Sequence, residues 1–266
     1  MCTVSFLPKS QGFYLAMNRD EKRDRFTSLA PMVVELGAHR AVFPREPTGG
    51  TWISANDAGV CLALINWHRI KREPNNRIRS RGEVVRKLAG ISTSDEISAA
   101  ITKLPLRKLR PFRLVAIAPV ENRVIEWRWN LERLTSCDYE WQRQHWFSSG
   151  FDEPRAELER AKICASPVAG GGDPGHRKRS RRCNSAGVNA AGYSLHWLRR
   201  LHRSHEPERG PFSICMHRPH AATVSYTEVA VSELSIVMRY KDGPPCSRRS
   251  TTTKTCKLSR VRATDR

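Results

Sequence analysis

A chain of 266 residues, 39% of them hydrophobic, is long enough to bury one substantial core, and it predicts a single soluble domain. No apolar run approaches the roughly 20 residues that cross a bilayer, and the first residues lack the basic and apolar regions of a secretory signal. A cytoplasmic protein with no transmembrane segment is therefore expected.

The net charge of +20 is concentrated in two stretches, residues 176–182 and 247–266, which have no apolar periodicity. Such stretches are typical of solvated basic segments more than of a dedicated nucleic-acid-binding arm. The eight cysteines are scattered, without Cys-x-x-Cys spacing, and Cys215 and His217 stand too close along the chain for a zinc site of the usual spacing. We expect no specific nucleic acid as a partner, no metal site and no other cofactor.

Short apolar runs separated by turns open the chain. Residues 3–7 and 13–17 are β-rich and flank a glycine-containing turn, which predicts a β-hairpin. Residues 50–55 and 59–67 flank the turn Asn56-Asp57-Ala58-Gly59 and predict a second strand pair.

Helices and strands are then predicted in mixed order. Serine caps followed by apolar residues at helical spacing predict two helices, and an acidic start containing proline predicts a third. The predicted helices are 80–88, 94–104 and 153–161, and the predicted strands are 112–118, 124–129, 146–149, 212–217, 222–231 and 235–240. Paired strands with intervening helices indicate an α+β class, in which helices cover antiparallel sheets.

One domain is expected over residues 1–245. The stretch 167–191 is Gly-rich, then polybasic, then Asn/Ala-rich, and it interrupts the helical pattern as an irregular insertion or a locally shifted reading frame would. Residues 246–266 are expected to be a basic, disordered tail.

Cys2 stands directly after the initiator methionine. Removal of Met1, which is usual before a small residue, would give an N-terminal cysteine with both a thiol and a free α-amine. That amine has an intrinsic pKa of about 8 and can act as general base for the thiol of the same residue. A partly buried cysteine at a strand end is the alternative interpretation.

The charged sequence Asn18-Arg19-Asp20-Glu21 ends the second predicted strand. In the hairpin, the start of the first strand lies opposite the end of the second, so Cys2 should neighbour this sequence. A carboxylate there would orient the terminal amine, and an arginine would favour the thiolate or bind a substrate carboxylate. A solvated charged turn is the alternative.

Several motifs together resemble the Asn-Arg-Asp-Glu family, which includes transport and Golgi organisation protein 2. They are the opening Met-Cys-Thr and the segments 16–21, 49–52, 56–59, 64–67, 147–150 and 223–227. That family is similar to the choloylglycine and penicillin V acylases, which are N-terminal-cysteine amidases. The resemblance implies an N-terminal-nucleophile-hydrolase-like fold, an αββα sandwich of two antiparallel sheets.

Carried over by position, the resemblance implies three catalytic residues: Cys2 as nucleophile, Asp20 as the group that holds its amine, and Asn66 as a side chain that stabilises the oxyanion. Arg19 departs from the acylase pattern, in which the arginine precedes the asparagine. Supporting or substrate-binding roles are implied for Asn18, Arg19, Glu21, Trp52 and Ser149.

The activity that the resemblance implies is hydrolysis of a linear amide C–N bond in a small-molecule substrate that it does not name. Eukaryotic members of the family are linked to haem and lipid homeostasis. A non-catalytic carrier for haem, acyl-CoA or a related amphipathic ligand is therefore the alternative, because a fold does not fix a function.

Overall fold

The computed structural model describes residues 2–25, 27–74, 78–165, 193–247 and 253–260, and the insertion predicted at 167–191 lies outside them. The helices are α1 (Gly82–Leu88), α2 (Ser94–Thr102), α3 (Glu153–Ala165) and α4 (Leu195–Arg203). The strands are β1 (Cys2–Pro8), β2 (Phe13–Lys22), β3 (Leu29–Leu36), β4 (His39–Arg45), β5 (Ile53–Asn56), β6 (Cys61–Asn66), β7 (Phe112–Ala118), β8 (Arg123–Trp129), β9 (Leu134–Tyr139), β10 (Gln144–Ser148), β11 (Ala221–Val231), β12 (Ser235–Asp242) and β13 (Thr253–Ser259).

The strands form two antiparallel sheets. The first sheet has the order β10-β1-β2-β11-β12-β13, and the second has the sequential order β3 to β9. Both predicted hairpins are confirmed, since β1 pairs with β2 and β5 pairs with β6. All strand pairs are antiparallel, as the paired pattern of the sequence predicted.

Side-chain alternation explains how the layers assemble. Val4 and Phe6 of β1 belong to the apolar core between the two sheets, whereas the small polar side chains of Thr3 and Ser5 face the other way. All four residues are fully buried, because helices cover the outer face of the first sheet. A strand covered on both faces loses the exposed polar side of a surface strand.

Two further apolar clusters attach the helices to the sheets. The helices α1 and α2 pack with Val84 and Ile97 onto Leu62 and Phe112 of the second sheet. The helices α3 and α4 pack with Ile163 and other residues onto the outer face of the first sheet. The predicted αββα sandwich of the α+β class is therefore confirmed.

Two sequence predictions need correction. Residues 212–217 do not form a named strand, and a single bridge joins His217 to Ala222. The Cys215 N–H donates instead to the Ser204 carbonyl, which holds the segment as an irregular loop. The prediction of a disordered tail is wrong over Thr253–Ser259, which pairs with β12. Leu258 of this strand faces the inter-sheet core, whereas its neighbours Lys257 and Ser259 are exposed.

No helix in the described part of the chain is both long enough and apolar enough to span a membrane.

Candidate functional site

Cys2 is the first residue of β1 and lies opposite Arg19 of β2. Directly opposed residues share a sheet face, so Cys2 and Arg19 both face the second sheet. Cys2 is only 6% exposed and belongs to the inter-sheet core together with Trp52. The hairpin register thus places a thiol between the two sheets, at the end of the first sheet.

A cavity of about 350 Å³ opens beside the Cys2 thiol. Strand ends supply its wall from both sheets, with Asn66 coming from the end of β6. Six of the residues predicted from sequence line this one cavity: Cys2, Arg19, Asp20, Glu21, Trp52 and Asn66.

Two of the predicted supporting residues lie elsewhere. The Asn18 amide is fully buried and donates to the carbonyls of His202 and Ile214, at 2.9 Å each. Ser149 is buried after β10, where its N–H donates to Glu153 Oε1 and its hydroxyl accepts from the Phe151 N–H. Strand alternation explains the placement of Asn18, because it is one residue from Arg19 and therefore faces the helical layer.

Asp20 lies on the same face as Asn18 and contacts two residues that sequence reasoning did not identify. Its Oδ1 accepts a hydrogen bond from Thr223 Oγ1 at 2.6 Å, and its Oδ2 lies 3.5 Å from Arg160 Nη2. Arg160 Nη1 also donates to the Cys2 carbonyl and to Thr3 Oγ1. One buried guanidinium therefore connects the acid to the backbone of the candidate nucleophile.

Helical periodicity could have identified Arg160. The helix α3 has many charged residues and looks exposed, but Arg160 shares a stripe with Ala156 and Ile163, at i, i+4 and i+7 spacing. Such a position faces the sheet. An arginine there must bury its charge and so needs acceptors, which Asp20 and the β1 backbone supply.

Arg19 is held by several partners at once. Its Nη2 lies 2.7 Å from Glu46 Oε1, and its guanidinium carbon lies 4.5 Å from the centre of the Trp52 ring. Burial alone would raise the pKa of Glu21, but the Lys22 N–H and the charges of Arg25 and Arg19 lower it below its ordinary value. Glu21 thus remains an anionic counterion near Arg19, and Glu46 forms the shorter ion pair with the same guanidinium.

The pKa of the Cys2 thiol is raised above its ordinary value, mainly by burial, while the nearby Arg19 charge acts in the opposite direction. A buried thiol of this kind is neutral near pH 7. It can act as a nucleophile only if a base removes its proton during attack.

Arginines give the cavity its positive character. Arg25, Arg79, Arg81 and Arg110 line it together with Arg19. Burial, and then the neighbouring Arg110, lower the pKa of Arg81 to about 10. Arg81 donates to the Pro111 carbonyl, and no carboxylate in the described part of the chain lies within ion-pair distance of it. An anionic ligand would relieve the cost of this partly buried charge.

A separate group of potential metal ligands surrounds His217. It does not line this cavity.

Two solved structures share the fold across almost the whole chain. The C2A mutant of a conjugated bile acid hydrolase from Clostridium perfringens is 10% identical with a TM-score of 0.54, and the match covers 97% of this chain and 92% of that one. A penicillin V acylase from Agrobacterium tumefaciens is 11% identical with a TM-score of 0.50, covering 96% and 90%. At these identities the likeness shows the fold, the N-terminal-nucleophile-hydrolase fold.

No curated protein matches the chain by sequence. The family model described as "Transport and Golgi organisation 2" matches residues 1–157, more than half of the chain and the part that carries Cys2, Asp20 and Asn66. The chain therefore belongs to the Transport and Golgi organisation 2 family.

Proposed function

We propose that this protein is an N-terminal-cysteine amidohydrolase that cleaves a linear amide bond in a small molecule carrying an anionic group. The observation that carries the proposal is the cavity lined by Cys2, Asp20 and Asn66, in which a buried thiol lies among charged and amide side chains. The two solved structures with this fold are named as a bile acid hydrolase and a penicillin V acylase, which supports the same chemistry.

The reaction begins after removal of Met1 exposes the α-amine of Cys2. The Cys2 sulfur adds to the carbonyl carbon of the substrate while the amine takes the thiol proton. The Asn66 amide N–H donates to the oxyanion that forms. Asp20, held by Thr223 and Arg160, orients the protonated amine.

The second half of the reaction returns the enzyme to its starting state. As the tetrahedral intermediate collapses, the C–N bond breaks and the protonated amine gives its proton to the leaving nitrogen, which leaves a thioester on Cys2. Water, deprotonated by the same amine, then attacks the thioester and releases the acid. The thiolate recovers its proton from the amine.

The arginine-lined cavity supports an anionic substrate. Five arginines line the cavity, against the three carboxylates of Asp20, Glu21 and Glu46. A guanidinium binds a carboxylate or phosphate through paired hydrogen bonds. The expected substrate is therefore an acyl amide with a carboxylate or phosphate on either side of the scissile bond.

The same lining favours one other function. A carrier of an amphipathic anion, such as haem or an acyl-CoA, would place its acidic groups on these arginines and its apolar part near Trp52 and Leu64. Such binding would not need the Cys2 thiol, whereas hydrolysis would.

Intact mass spectrometry with a carboxylate-bearing acylating probe tests the proposal. We expect the purified protein to lack Met1 and to gain one acyl group on Cys2, much faster than on any other cysteine. Cys2→Ser should abolish this fast labelling, and Cys256→Ser, at a half-buried strand position, should preserve it. A protein with one non-removable residue ahead of Cys2 keeps the thiol but loses the free amine, and it should label slowly.

Equal labelling of the extended and native proteins would contradict the amine-base mechanism. Retention of Met1 in the purified protein, together with ligand binding that Cys2→Ser leaves unchanged, would favour the carrier.

A further inference from the structure

Four side chains with metal-binding atoms converge beside the start of β11 and the end of β12. His205 follows α4, Cys215 and His217 precede β11, and Cys246 follows β12. One ligand atom from each lies within 4.8 Å of the others. Segments separated by about 40 residues of chain thus present two imidazoles and two thiols to a common centre.

The distances between these atoms agree with the edges of a tetrahedral zinc site. Zinc bonds of about 2.0–2.1 Å to nitrogen and about 2.3 Å to sulfur imply edges of about 3.3 Å between two nitrogens and about 3.5 Å between nitrogen and sulfur. The observed separations from His217 Nε2 are 3.2 Å to His205 Nε2, 3.6 Å to Cys215 Sγ and 3.4 Å to Cys246 Sγ.

Hydrogen bonding alone does not explain this arrangement. The Nε2 atom of His217 meets three neighbouring donor or acceptor atoms, but a ring nitrogen has either one proton or one lone pair, directed along a single line in the ring plane. It can satisfy only one of the three. A cation at the centre would be bonded by all four atoms at once.

Backbone hydrogen bonds fix two of the ligands in place. The Cys215 N–H donates to the Ser204 carbonyl at 2.9 Å, and the Ser213 hydroxyl donates to the Cys215 carbonyl at 2.8 Å. The His217 N–H donates to the Gly210 carbonyl at 3.2 Å. These bonds account for the irregular loop at residues 212–217, since a regular strand would point Cys215 and His217 alike but would not fold the chain back to His205.

We propose that His205, Cys215, His217 and Cys246 bind one Zn²⁺ in a closed structural site. Two thiolates and two imidazoles are a ligand set that zinc prefers, and four protein ligands leave no open position for a substrate or an activated water. Binding displaces the two thiol protons to solvent, because the sulfur ligands coordinate as thiolates. This site departs from the sequence expectation of no metal, which considered only the close spacing of Cys215 and His217.

The site also lies close to the candidate nucleophile's acid. Met216, between two of the ligands, donates its N–H to Thr223 Oγ1 at 2.9 Å, and Thr223 Oγ1 donates to Asp20 at 2.6 Å. A metal that fixes Cys215 and His217 therefore also fixes the hydroxyl that holds Asp20. The metal would thus position Asp20 indirectly, through Thr223, without contacting it.

The test is metal analysis of the full chain, purified under reducing conditions and supplied with one equivalent of Zn²⁺. We expect one zinc per chain to survive gel filtration, and we expect Co²⁺ in its place to give the visible bands of tetrahedral cobalt with a thiolate-to-cobalt charge-transfer band. Cys246→Ser and His205→Gln should lower zinc retention at least tenfold, whereas the matched Cys256→Ser protein should retain it. Thermal unfolding of the parent, but not of Cys246→Ser, should shift to lower temperature when a chelator removes the metal.

Three results would overturn the proposal. One is a reduced, folded parent protein that retains no zinc and shows no tetrahedral cobalt spectrum. Another is full zinc retention in Cys246→Ser, which would locate the metal elsewhere. The third is a Cys215–Cys246 disulfide that peptide mapping finds even in protein purified with a reductant, since it would consume both sulfur ligands.

Discussion

The Arg160 guanidinium lies 3.5 Å from the Asp20 carboxylate, and neither side chain is exposed to solvent. The pair joins α3 to the end of β2, while Arg160 also bonds the backbone of Cys2. A charge buried this deeply is tolerated only when it is paired and hydrogen-bonded. The relationship explains how an exposed-looking helix fixes the geometry of the candidate nucleophile.

Arg160→Met should destabilise the protein by about 3–5 kcal/mol, because it removes one partner of a buried ion pair and leaves the Asp20 charge uncompensated. Urea unfolding monitored by tryptophan fluorescence measures the change. Lys162→Met, on the exposed side of the same helix, should change the free energy of unfolding by less than about 0.5 kcal/mol. Equal effects from the two substitutions would contradict the buried pair.

Asn18→Ala should lower stability without changing the chemistry of Cys2. The substitution leaves the buried carbonyls of His202 and Ile214 without their donor, which should cost about 2–4 kcal/mol. Below its unfolding temperature, the variant should acylate Cys2 at close to the parent rate. A large loss of labelling in folded protein would instead assign Asn18 a direct part in the reaction.

Asn66→Ala should slow the reaction of Cys2 without lowering stability. If the amide N–H stabilises the oxyanion, the rate of Cys2 acylation should fall by about 100- to 1000-fold, with little change in the unfolding temperature. Asn66→Asp keeps the shape of the side chain but lacks the donor, so it should be similarly slow. Stopped-flow labelling gives the rates, and an unchanged rate in both variants would exclude this role.

Arg81→Gln should weaken reaction with a carboxylate-bearing probe by at least tenfold and leave reaction with a neutral probe of the same shape nearly unchanged. The physical reason is that Arg81 lines the cavity with a partly buried charge, and a bound anion would compensate it. Arg86→Gln, at an exposed position of α1, the helix that begins just after Arg81, is the control. Equal losses with both probes would indicate a structural effect.

Stability should fall as pH drops below about 6.5, because the buried His202 and the half-buried His145 resist protonation in the folded state. Burial lowers the pKa of His202 to about 3 and that of His145 to about 3. Both rings bond the Ser5 hydroxyl, at 2.9 Å each. In the unfolded chain each takes up a proton near pH 6.5, so their contribution is complete above that pH and is lost progressively as pH falls toward 3.

Each of these histidines should give a slope of up to about 1.4 kcal/mol per pH unit between about pH 5 and 6. Urea unfolding across that interval measures the slope. His202→Gln should remove the part of this slope that comes from one histidine, up to about 1.4 kcal/mol per pH unit. His196→Gln, at an exposed position of α4, should leave the slope unchanged. A parent protein whose stability is flat down to pH 5 would show that these rings are already accessible to protons.

The sequence determined the local parts of this site. Turn residues and apolar runs predicted the first hairpin. In any such hairpin the start of the first strand lies opposite the end of the second, so Cys2 lies beside Arg19 and Asp20. The same local signals identified the β5–β6 hairpin that carries Asn66. These relations depend on neighbours along the chain, so a single sequence suffices to predict them.

Contacts between distant segments depended on the tertiary structure. The buried stripe of α3 could mark Arg160 as facing the sheet, but only the packing of α3 on the first sheet shows that its partner is Asp20. The resemblance implied a supporting or substrate-binding role for Asn18, but strand alternation directs its amide toward α4, where it bonds His202. The ligands around His217 come from segments that no spacing rule connects, since their proximity arises where two loops meet beyond the sheet. Sequence fixes which residues are adjacent along a strand or helix, whereas the burial of apolar faces decides which elements meet.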